Sequence, residues 1–410
     1  MSYRELSDCR CCSSSDLIPY LDLGEQPLAN SYHHGESLPT YPLKLALCGQ
    51  CFHSQLTVVV DPAALFTEYL YVSGTTSTLR SQFQSLAADT LARVDRRCPT
   101  VLDIACNDGT LLEYFRAAGA RVVGVDPAVN LRRLTEEKGI DVVTAFWSAE
   151  VAKTLDPVDI ITATNVFAHV DDVQGFLNAC RRCLRAGGLV ALEFPYCRRM
   201  ILENEFDTIY HEHLSYFLLG PIVSLAARLG FQVQDLSFWP VHGGSVRLIL
   251  RDSPAEPGPA VADALAHERA DGFNTMAPYR PFARRVERNR ERLRELVDEL
   301  NASHKRLVGY GASAKGNTML NYCQMNLPYI VDDNPLKCGW LTPGRNIPIQ
   351  SPDTLAEEPE SLYLLLLAWN CADEVFRRVK RIRAGRRDFA VRYIPEVSCH
   401  EIDGDHPRLE

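Results

Sequence analysis

Short apolar segments alternate with longer amphipathic stretches from about residue 100 onward. Four segments have the composition of buried strands, at residues 101–105, 122–125, 159–164 and 189–194. The stretches between them have apolar residues at helical spacing, at residues 110–118, 130–138 and 173–184. Strands that alternate with helices in this way are typical of βαβ units, so the pattern predicts a parallel sheet. A more aromatic region at residues 231–250 predicts further strands.

A second alternating pattern occupies the C-terminal part of the chain. It follows a segment rich in proline and glycine at residues 254–260 and a helix of mixed charge expected at residues 282–303. The elements expected there are residues 306–310, 311–322, 329–332, 362–368 and 391–395. Near the N-terminus, residues 62–97 are expected to be helical with one polar interruption. We therefore predict an α/β protein with domains at residues 1–61, 62–253 and 254–410.

The composition of the 410-residue chain narrows the range of partners. Hydrophobic residues make up 46% and charged residues 23%, as in ordinary globular proteins, and the formal net charge is −9. This acidic balance argues against general binding of nucleic acid or of an anionic membrane. The most apolar run, residues 362–369, is far shorter than a bilayer requires, and the first residues lack a signal-peptide pattern. We expect a cytoplasmic protein with no nucleic-acid or membrane partner.

The chain contains 14 cysteines, and several of them cluster near the N-terminus in a segment that is otherwise expected to be rich in loops. Cys9 and Cys12 form one C-x-x-C pair, and Cys48 and Cys51 form another. Four thiolates at this spacing are typical of tetrahedral Zn²⁺, and a site without an open position is structural. Cys11 leaves the register of the first pair open. Redox-active or merely buried thiols are the alternative.

Acidic residues mark the ends of two strands in the first α/β segment. Asp103 lies in the strand before the turn Ala105-Cys-Asn107-Asp108-Gly109, and Asp126 ends the following strand. The second position is where a carboxylate accepts hydrogen bonds from ribose hydroxyls. The turn lacks the G-x-G-x-x-G pattern that holds a pyrophosphate. The residues therefore favour S-adenosylmethionine (SAM) over NAD, with purely structural aspartates as a further interpretation.

Four of the 11 histidines lie in three segments of the chain. These segments are Asn165-Val-Phe-Ala168-His169, Tyr210-His211-Glu212-His213 and His242-Gly-Gly-Ser245-Val-Arg247. Histidine is the side chain best suited to proton transfer near neutral pH. A phenol, a carboxylate and two histidines within four positions favour catalysis over ordinary core or surface histidines. A metal site is weaker, because the spacing is not H-E-x-x-H.

The C-terminal α/β segment has its own candidate site. Its first strand runs into a glycine-rich turn and a helix containing Ser313, Lys315 and Asn317. Helix N-terminal amides and Lys315 suit a diphosphate, while the G-x-x-x-x-G-K-[ST] pattern of an ATP-hydrolysing loop is absent. A purely structural turn is the alternative. Asp332, at the end of the next strand, is placed to reach a ribose or to cap a turn.

Together these motifs resemble the SAM-dependent C-methyltransferases of nucleotide-linked deoxysugars, whose best-known members act at C-3 of dTDP-4-keto-deoxysugars. The resemblance covers nearly the whole chain, and its further segments are residues 23–30, 69–77, 309–317, 331–335, 343–348 and 368–370. It implies a small zinc-binding module, a class I SAM-methyltransferase lobe of Rossmann-like fold and a second C-terminal α/β lobe for the nucleotide sugar. The chain departs from the family in two motifs, since it reads Asp103-Ile-Ala105 where the family has Glu-Ile-Gly, and Asp126 where the family has Glu.

The reaction that the resemblance implies is methylation of carbon. Removal of the acidic C-3 proton beside the 4-keto group gives an enolate, whose C-3 takes up the methyl group of SAM. The expected base is His213, oriented by Glu212. Tyr210, His169 and His242 are the expected donors to the sugar or enolate oxygens.

The other expected site residues form two groups. Those expected to bind SAM are Asp103, Ala105, Asn107, Asp108, Gly109, Asp126, Pro127, Asn165 and Ala168. Those expected to bind the sugar nucleotide, with dTDP or GDP as its nucleotide, are Tyr69, Tyr71, Ser73, Ser245, Arg247, Ser313, Lys315, Asn317 and Asp332. Alternative functions are an NAD-dependent nucleotide-sugar epimerase or dehydrogenase, a non-catalytic zinc-bearing nucleotide-sugar binder, and methylation of oxygen or nitrogen.

Overall fold

The computed structural model describes residues 3–67, 74, 77–241, 243–252 and 257–402. Numbered along the chain, the strands are β1 Tyr3–Glu5, β2 Leu17–Gln26, β3 Tyr41–Cys48, β4 Ser54–Leu56, β5 Val58–Val60, β6 Thr100–Ile104, β7 Arg121–Val125, β8 Val142–Val143, β9 Val158–Thr164, β10 Leu184–Pro195, β11 Ser215–Tyr216, β12 Gln232–Trp239, β13 Ser245–Arg251, β14 Arg306–Tyr310, β15 Ile330–Val331, β16 Ile349–Gln350, β17 Leu362–Leu366, β18 Phe389–Arg392 and β19 Ser398–Glu401. The α-helices are α1 Pro62–Phe66, α2 Ser77–Ala92, α3 Thr110–Ala117, α4 Arg132–Glu137, α5 Ala149–Thr154, α6 Val173–Cys183, α7 Cys197–Leu202, α8 Leu219–Arg228, α9 Pro259–Ala270, α10 Tyr279–Ala302, α11 Ala314–Tyr322 and α12 Ala372–Ile382.

The chain divides into two compact units that interleave along the sequence. Unit 1 is Met1–Ile18, Ala46–Arg198 and Glu212–Met276, and unit 2 is Pro19–Leu45, Arg199–His211 and Ala277–Glu410. Each unit contains one large, mainly parallel sheet, as expected for an α/β protein. The division into domains at residues 1–61, 62–253 and 254–410 stays a prediction.

The sheet of unit 1 has seven strands in the order β12-β13-β10-β9-β6-β7-β8. Strands β6 to β10 pair in parallel, while β13 pairs antiparallel with both β10 and β12. The order reverses between β6 and β9, where open α/β sheets bind ligands outside the carboxyl ends of their strands. In the core beneath this edge, Phe83 and Leu86 of α2 and Phe115 of α3 cluster with Val101 and Ile160 of the sheet.

The sheet of unit 2 has six strands in the order β16-β15-β14-β17-β18-β19. All neighbouring pairs are parallel except β18 with β19. Numbered from β14, this order is 3-2-1-4-5-6, the order of a dinucleotide-binding Rossmann fold, and it reverses between β14 and β17. Val308, Tyr310 and Leu364 of the sheet cluster with Phe376 and Val379 of α12.

The N-terminal residues contain more regular structure than a loop-rich module. A four-stranded sheet has the order β11-β4-β3-β2, and β1 pairs with β5. In β3, the apolar residues Leu43, Leu45 and Leu47 are buried and alternate with other residues, which is the period of a strand. The expectation of loops was therefore wrong, because nearby proline, glycine and cysteine residues concealed this alternation.

Most predicted helices and strands of the two α/β segments are confirmed to within a few residues at each end. Helices α1 and α2 both lie within residues 62–97, most of the interruption expected there, residues 71–77, lies outside the described residues, and the mixed-charge helix is α10. Helix α9 was not predicted, because its apolar positions are mostly alanines and give little amphipathic contrast. Within the described part of the chain, no helix combines the length and apolar character that crossing a membrane requires.

Candidate active site

Four cysteines of unit 1 form a group suited to zinc. The sulfur atoms of Cys9, Cys12, Cys48 and Cys51 all lie within 4.8 Å of one another. Tetrahedral zinc at about 2.3 Å from each sulfur holds the sulfurs roughly 3.8 Å apart, so the donor set fits this ion. Cys11 is buried and outside the group, which fixes the register of the first pair. With four thiolates as ligands, the zinc is structural.

Both cysteine pairs have the same backbone turn. The amide of Ser13 donates to the carbonyl of Cys9 at 2.8 Å, and the amide of Phe52 donates to that of Cys48 at 3.0 Å. Ser13 and Phe52 both have a left-handed φ, of 60° and 61°. In the second turn, the amide of Cys51 also lies 3.5 Å from the sulfur of Cys48. The C-x-x-C spacing therefore specifies two equivalent knuckles, as the sequence predicted.

The predicted cofactor turn follows β6 at the carboxyl edge of the unit 1 sheet. Ala105, Asn107 and Gly109 have left-handed φ values of 59°, 52° and 75°. Glycine and asparagine adopt this conformation readily, while an alanine pays about 1–2 kcal/mol for it. The turn therefore requires a glycine-like backbone at Ala105, the position where the resembling family has Gly.

Two aspartates support this turn from neighbouring strands. Asp126 accepts hydrogen bonds from the amides of Asn107 and Ala128, both at 2.8 Å. A carboxylate has about four acceptor positions, so Asp126 retains capacity for ribose hydroxyls. Asp103 accepts from the hydroxyl of Thr162 at 2.7 Å, and burial raises the pKa of Asp103 to about 7. Asp103 thus lies beneath the turn, in the body of the sheet.

Asp108 and Asn165 flank the same edge. Asp108 accepts from the hydroxyl of Thr110 at 2.7 Å and fixes the start of α3. Asn165 follows β9 with a left-handed φ of 54°, and its buried Oδ1 has no hydrogen-bond partner among the described residues. Pro127 is half-buried beside Asp126, and Ala168 is buried. Apart from Asp103, which lies within β6, the residues expected to bind SAM therefore cluster at the carboxyl ends of β6, β7 and β9.

Two of the predicted catalytic histidines meet in unit 1. The rings of His169 and His213 are stacked, with centroids 5.1 Å apart and planes 26° apart. Phe66 stacks on His169 with centroids 5.3 Å apart. Burial lowers the pKa of His169 to about 4, so its ring is neutral near pH 7. A neutral imidazole is the form that accepts a proton or donates a single N–H to an oxygen.

The histidine next to this pair in sequence has a different role. His211 is 1% exposed, and its Nε2 lies 3.2 Å from the carbonyl oxygen of Pro42. Its ring contacts Tyr41 edge to face, and burial lowers its pKa to about 4. These contacts hold His211 within unit 2, to which Tyr210 also belongs, whereas Glu212 and His213 belong to unit 1. Sequence spacing alone did not distinguish His211 from His213.

Arg247 belongs to a buried network that the sequence did not reveal. Its Nε and Nη2 each lie 2.9 Å from Oε2 of Glu193, the residue opposite it in the β10–β13 pair. Gln82 of α2 donates to the other oxygen of Glu193. The guanidinium also lies 4.4 Å from the centre of the Trp239 ring. Neither Nη1 nor Nη2 has a hydrogen-bond partner among the described residues, so Nη2 contributes only an ion pair with Glu193 and both nitrogens keep N–H groups for a ligand.

Three of the residues expected to bind the sugar nucleotide have structural hydrogen bonds in unit 2. Ser313 caps α11 by accepting from the amide of Gly316 at 3.0 Å. Asn317 donates to the carbonyl of Ala29 at 2.8 Å and is 1% exposed. Asp332 accepts from a turn amide at 2.7 Å. Their side chains therefore hold the turn after β14 in place.

Lys315 lies beside a cluster of buried groups that the sequence did not single out. Its Nζ is 4.6 Å from the centre of the Trp369 ring. The indole N–H of Trp369 and the hydroxyl of Tyr393 donate to one oxygen of Asp207, at 2.7 and 2.8 Å. Burial raises the pKa of Glu205 to about 7, and the charge of Lys315 opposes this rise. Asp207 and Glu205 offset part of the positive charge of Lys315, which a bound diphosphate would require.

Four predicted site residues, Tyr69, Tyr71, Ser73 and His242, lie outside the described residues. Ser245, close to His242 in sequence, is buried and donates to the carbonyl of Val241 at 3.2 Å. Its hydroxyl therefore contributes to the turn before β13.

Three family profiles match successive parts of the chain. They are described as "Putative zinc binding domain" at residues 9–66, "Methyltransferase domain" at residues 79–236 and "C-methyltransferase C-terminal domain" at residues 240–395. The first covers all four cysteines of the zinc group, and the second covers the cofactor turn and the stacked histidines.

Individual proteins are similar to this chain over different lengths. C-methyltransferase NovU from Streptomyces niveus is 35% identical over 409 residues, which is 96% of each chain. Ubiquinone biosynthesis O-methyltransferase from Bradyrhizobium sp. (strain ORS 278) is 38% identical over 98 residues, covering 22% of this chain and 38% of the relative. The crystal structure of a SAM dependent methyltransferase from Archaeoglobus fulgidus has a TM-score of 0.35 and 20% identity, covering 39% of this chain and 72% of the other.

Proposed function

Because the chain belongs to the family of SAM-dependent C-methyltransferases with a structural zinc module, we propose that it methylates C-3 of an NDP-linked 4-keto-deoxysugar. The nucleotide of this substrate is proposed to be dTDP or GDP. We place the reaction in the cytoplasm, in keeping with the absence of any disulfide among the described cysteines.

The observation that carries the proposal is the stacked pair of His169 and His213 in the unit that also holds the cofactor turn. Abstraction of a proton beside a ketone requires a base near the carbon and a donor near the oxygen. Two adjacent imidazoles, of which His169 is held neutral by burial, supply one group for each task. A methyltransferase acting on a nucleophilic oxygen would have less need for this second group.

In the proposed mechanism, His213 accepts the C-3 proton and Glu212 sets the orientation and tautomer of its ring. His169 donates to the developing enolate oxygen, and Arg247 adds a fixed cationic donor held by Glu193. Tyr210 and His242 stay further proposed donors. When bound, SAM supplies the electrophilic methyl group that C-3 takes up. Its ribose is proposed to bind Asp126.

The nucleotide part of the substrate is assigned to Lys315, as the ligand of the diphosphate. Ser313, Asn317 and Asp332 are proposed to shape its binding turn, because their side chains hold the segment around the start of α11. Ser245 is proposed to act similarly for the acceptor by fixing the turn before Arg247.

The test combines a substrate screen with isotope exchange. Candidate dTDP- and GDP-linked 4-keto sugars are incubated in D2O without SAM, and deuterium at C-3 is followed by NMR. With SAM added, a product whose new methyl group is bonded to carbon is expected. His213→Ala is expected to lose both exchange and methylation, while the exposed-histidine variant His400→Gln should retain them.

Other outcomes separate the alternatives. A methyl group on oxygen or nitrogen contradicts C-3 methylation, and a copurified nicotinamide cofactor supports an epimerase or dehydrogenase. Binding of the sugar without methyl transfer supports a non-catalytic binder. Full exchange in His213→Ala would assign the base to another residue, with His169 and Tyr210 as the next candidates.

A further inference from the structure

We propose that Arg10 is a positioning residue that couples the zinc knuckle to the stacked histidines of unit 1. The proposal rests on the proposed function, because it assigns the placement of His169 and His213 to this residue. Arg10 lies between Cys9 and Cys12 in sequence, and its side chain is only 2% exposed. A buried guanidinium is costly unless its donors are used. Nε and Nη1 of Arg10 have hydrogen-bond partners, and Nη2 has none among the described residues, so the partners of Nε and Nη1 indicate the role of this side chain.

The guanidinium of Arg10 contacts a residue close in sequence to each histidine of the stacked pair. Its Nη1 donates to the carbonyl of Leu214 at 3.1 Å, and Leu214 directly follows His213. Its Nε donates to the carboxylate of Asp171 at 3.1 Å, and Asp171 lies two residues after His169. One rigid planar group therefore fixes the chain beside both stacked rings.

The same guanidinium connects to the strand that follows the second knuckle. Nη1 also lies 3.2 Å from the carbonyl oxygen of Leu56, while the amide of Leu56 donates to the carbonyl of Leu214 at 3.0 Å. This closes a small network in which Leu56, Leu214 and Arg10 hold one another. The segment after His213 is thereby attached to the zinc module at two points.

The backbone of Arg10 is held as firmly as its side chain. Its amide donates to the side chain of Gln55 at 2.9 Å, and its carbonyl accepts from the side chain of Gln174 at 3.1 Å. Gln174 lies in the first turn of α6, close after Asp171. The two cysteines that flank Arg10 are ligands of the zinc group. The knuckle therefore sets the position from which the guanidinium acts.

The hydrogen bonds of Arg10 are expected to affect the reaction rate, because catalysis depends on the exact placement of the histidine rings. A displacement of about 1 Å caused by a change remote from the chemistry can cost roughly 100-fold in rate. Lysine retains the charge of arginine but lacks its planar fork of donors, so it cannot serve Leu56, Leu214 and Asp171 together. If Arg10 is purely structural, replacing it affects stability alone. If Arg10 is a positioning residue, replacing it also changes the positions of the His169 and His213 rings.

The deciding variant is Arg10→Lys, with Arg4→Lys as its matched control. Arg4 pairs with the same Asp171 carboxylate from an exposed position. The measurements on the full-length zinc protein are zinc per chain, SAM affinity, the rate of C-3 deuterium exchange, and the ¹⁵N-histidine ring signals of His169 and His213. For Arg10→Lys we expect full zinc and unchanged SAM affinity, a roughly 10- to 100-fold loss of exchange rate, and shifted ring signals. Arg4→Lys should stay within about twofold of the wild type.

The results have distinct meanings. A zinc-loaded Arg10→Lys protein with unchanged exchange and unchanged ring signals overturns the proposal. If Arg10→Lys does not fold, Asp171→Asn decides, since it retains the contacts with Leu56 and Leu214. It should shift the signals of His169 more than those of His213, and unchanged signals would again overturn the proposal. If the wild type exchanges no sugar, the proposed function fails, while the ring signals still test Arg10 independently.

Discussion

The two large sheets share a hydrogen-bond arrangement at the carboxyl end of the strand that comes second along the chain, which is β7 in unit 1 and β15 in unit 2. In unit 1, Asp126 accepts from the amide of Asn107 and from the amide two residues after itself, both at 2.8 Å. In unit 2, Asp332 accepts from the amide of Ala312 at 2.7 Å and from the amide two residues after itself at 2.8 Å. The carboxylate thus ties down the turn after the first strand in both sheets. An acid at this position therefore does not by itself indicate a nucleotide.

The buried arginines of the two units differ in a way that the aspartates do not. Arg383 of unit 2 pairs with Asp388 through two nitrogens, at 2.6 and 2.9 Å. It also donates to the carbonyls of Leu355, Glu358 and Glu360. Arg247 of unit 1 has Glu193 as its carboxylate partner, and its Nη1 is unpartnered among the described residues. All three guanidinium nitrogens of Arg383 are used within the fold, whereas the unpartnered nitrogen of Arg247 is a candidate contact for a ligand.

The largest expected effect tests this contrast. Arg383→Lys removes the planar fork that serves five acceptor contacts, and we expect it to lower the free energy of unfolding by about 3–5 kcal/mol. Arg247→Lys should cost less stability, because among the described residues only Glu193 accepts from Arg247 whereas four residues accept from Arg383, and it should mainly raise KM for the sugar substrate. Urea unfolding and steady-state kinetics on both variants measure this. If Arg247→Lys changes only stability, Arg247 is as structural as Arg383.

The strands and the zinc group could be predicted from the sequence, whereas the buried Glu193–Arg247 pair could not. The strands β6, β7, β9 and β14 were predicted because short apolar runs between helices are visible locally. The zinc group was predicted because both knuckles are specified within four residues each. In contrast, the partners Glu193 and Arg247 are separated by 54 positions and meet only through strand pairing. No local pattern indicates such a pair.

The histidines show how much of the candidate site could be predicted from the sequence. His211 and His213 have the same residue type and nearly the same position, yet one contacts the carbonyl of Pro42 and the other stacks on His169. Arg10 was overlooked for a related reason, since its acceptors on Leu56 and Leu214 are backbone carbonyls. Every residue type presents the same carbonyl, so the sequence carries no trace of this contact.

An effect of intermediate size on the free energy of unfolding is expected from substitutions in the turns that follow β6 in unit 1 and β14 in unit 2. The amides of Ala105 and Gly311 donate to the second strand at 2.7 and 2.8 Å, and both residues have a left-handed φ. In Gly311→Ala the new Cβ would lie 2.6 Å from the Cβ of Ala368. We expect it to cost about 2–3 kcal/mol of unfolding free energy, from the clash and the left-handed strain.

The reciprocal variant, Ala105→Gly, provides the comparison. It relieves left-handed strain but increases the entropy of the unfolded chain, so a change within about 1 kcal/mol is expected. Urea unfolding of both variants decides the matter. Equal costs for Ala105→Gly and Gly311→Ala would contradict the equivalence of the two turns.

The smallest expected effect separates the two aspartates by their ligands. Asp126→Asn keeps one side-chain oxygen for the turn but loses a charged acceptor, so we expect SAM affinity to fall roughly tenfold, as for loss of one hydrogen bond to a charged group. Asp332→Asn, its matched control in unit 2, should leave SAM affinity unchanged. Calorimetric titration with SAM measures both, and unfolding midpoints verify that both turns survive. If Asp126→Asn binds SAM like the wild type, the carboxylate in unit 1 only ties down its turn, and SAM recognition must then rest on the left-handed backbone of Ala105, Asn107 and Gly109.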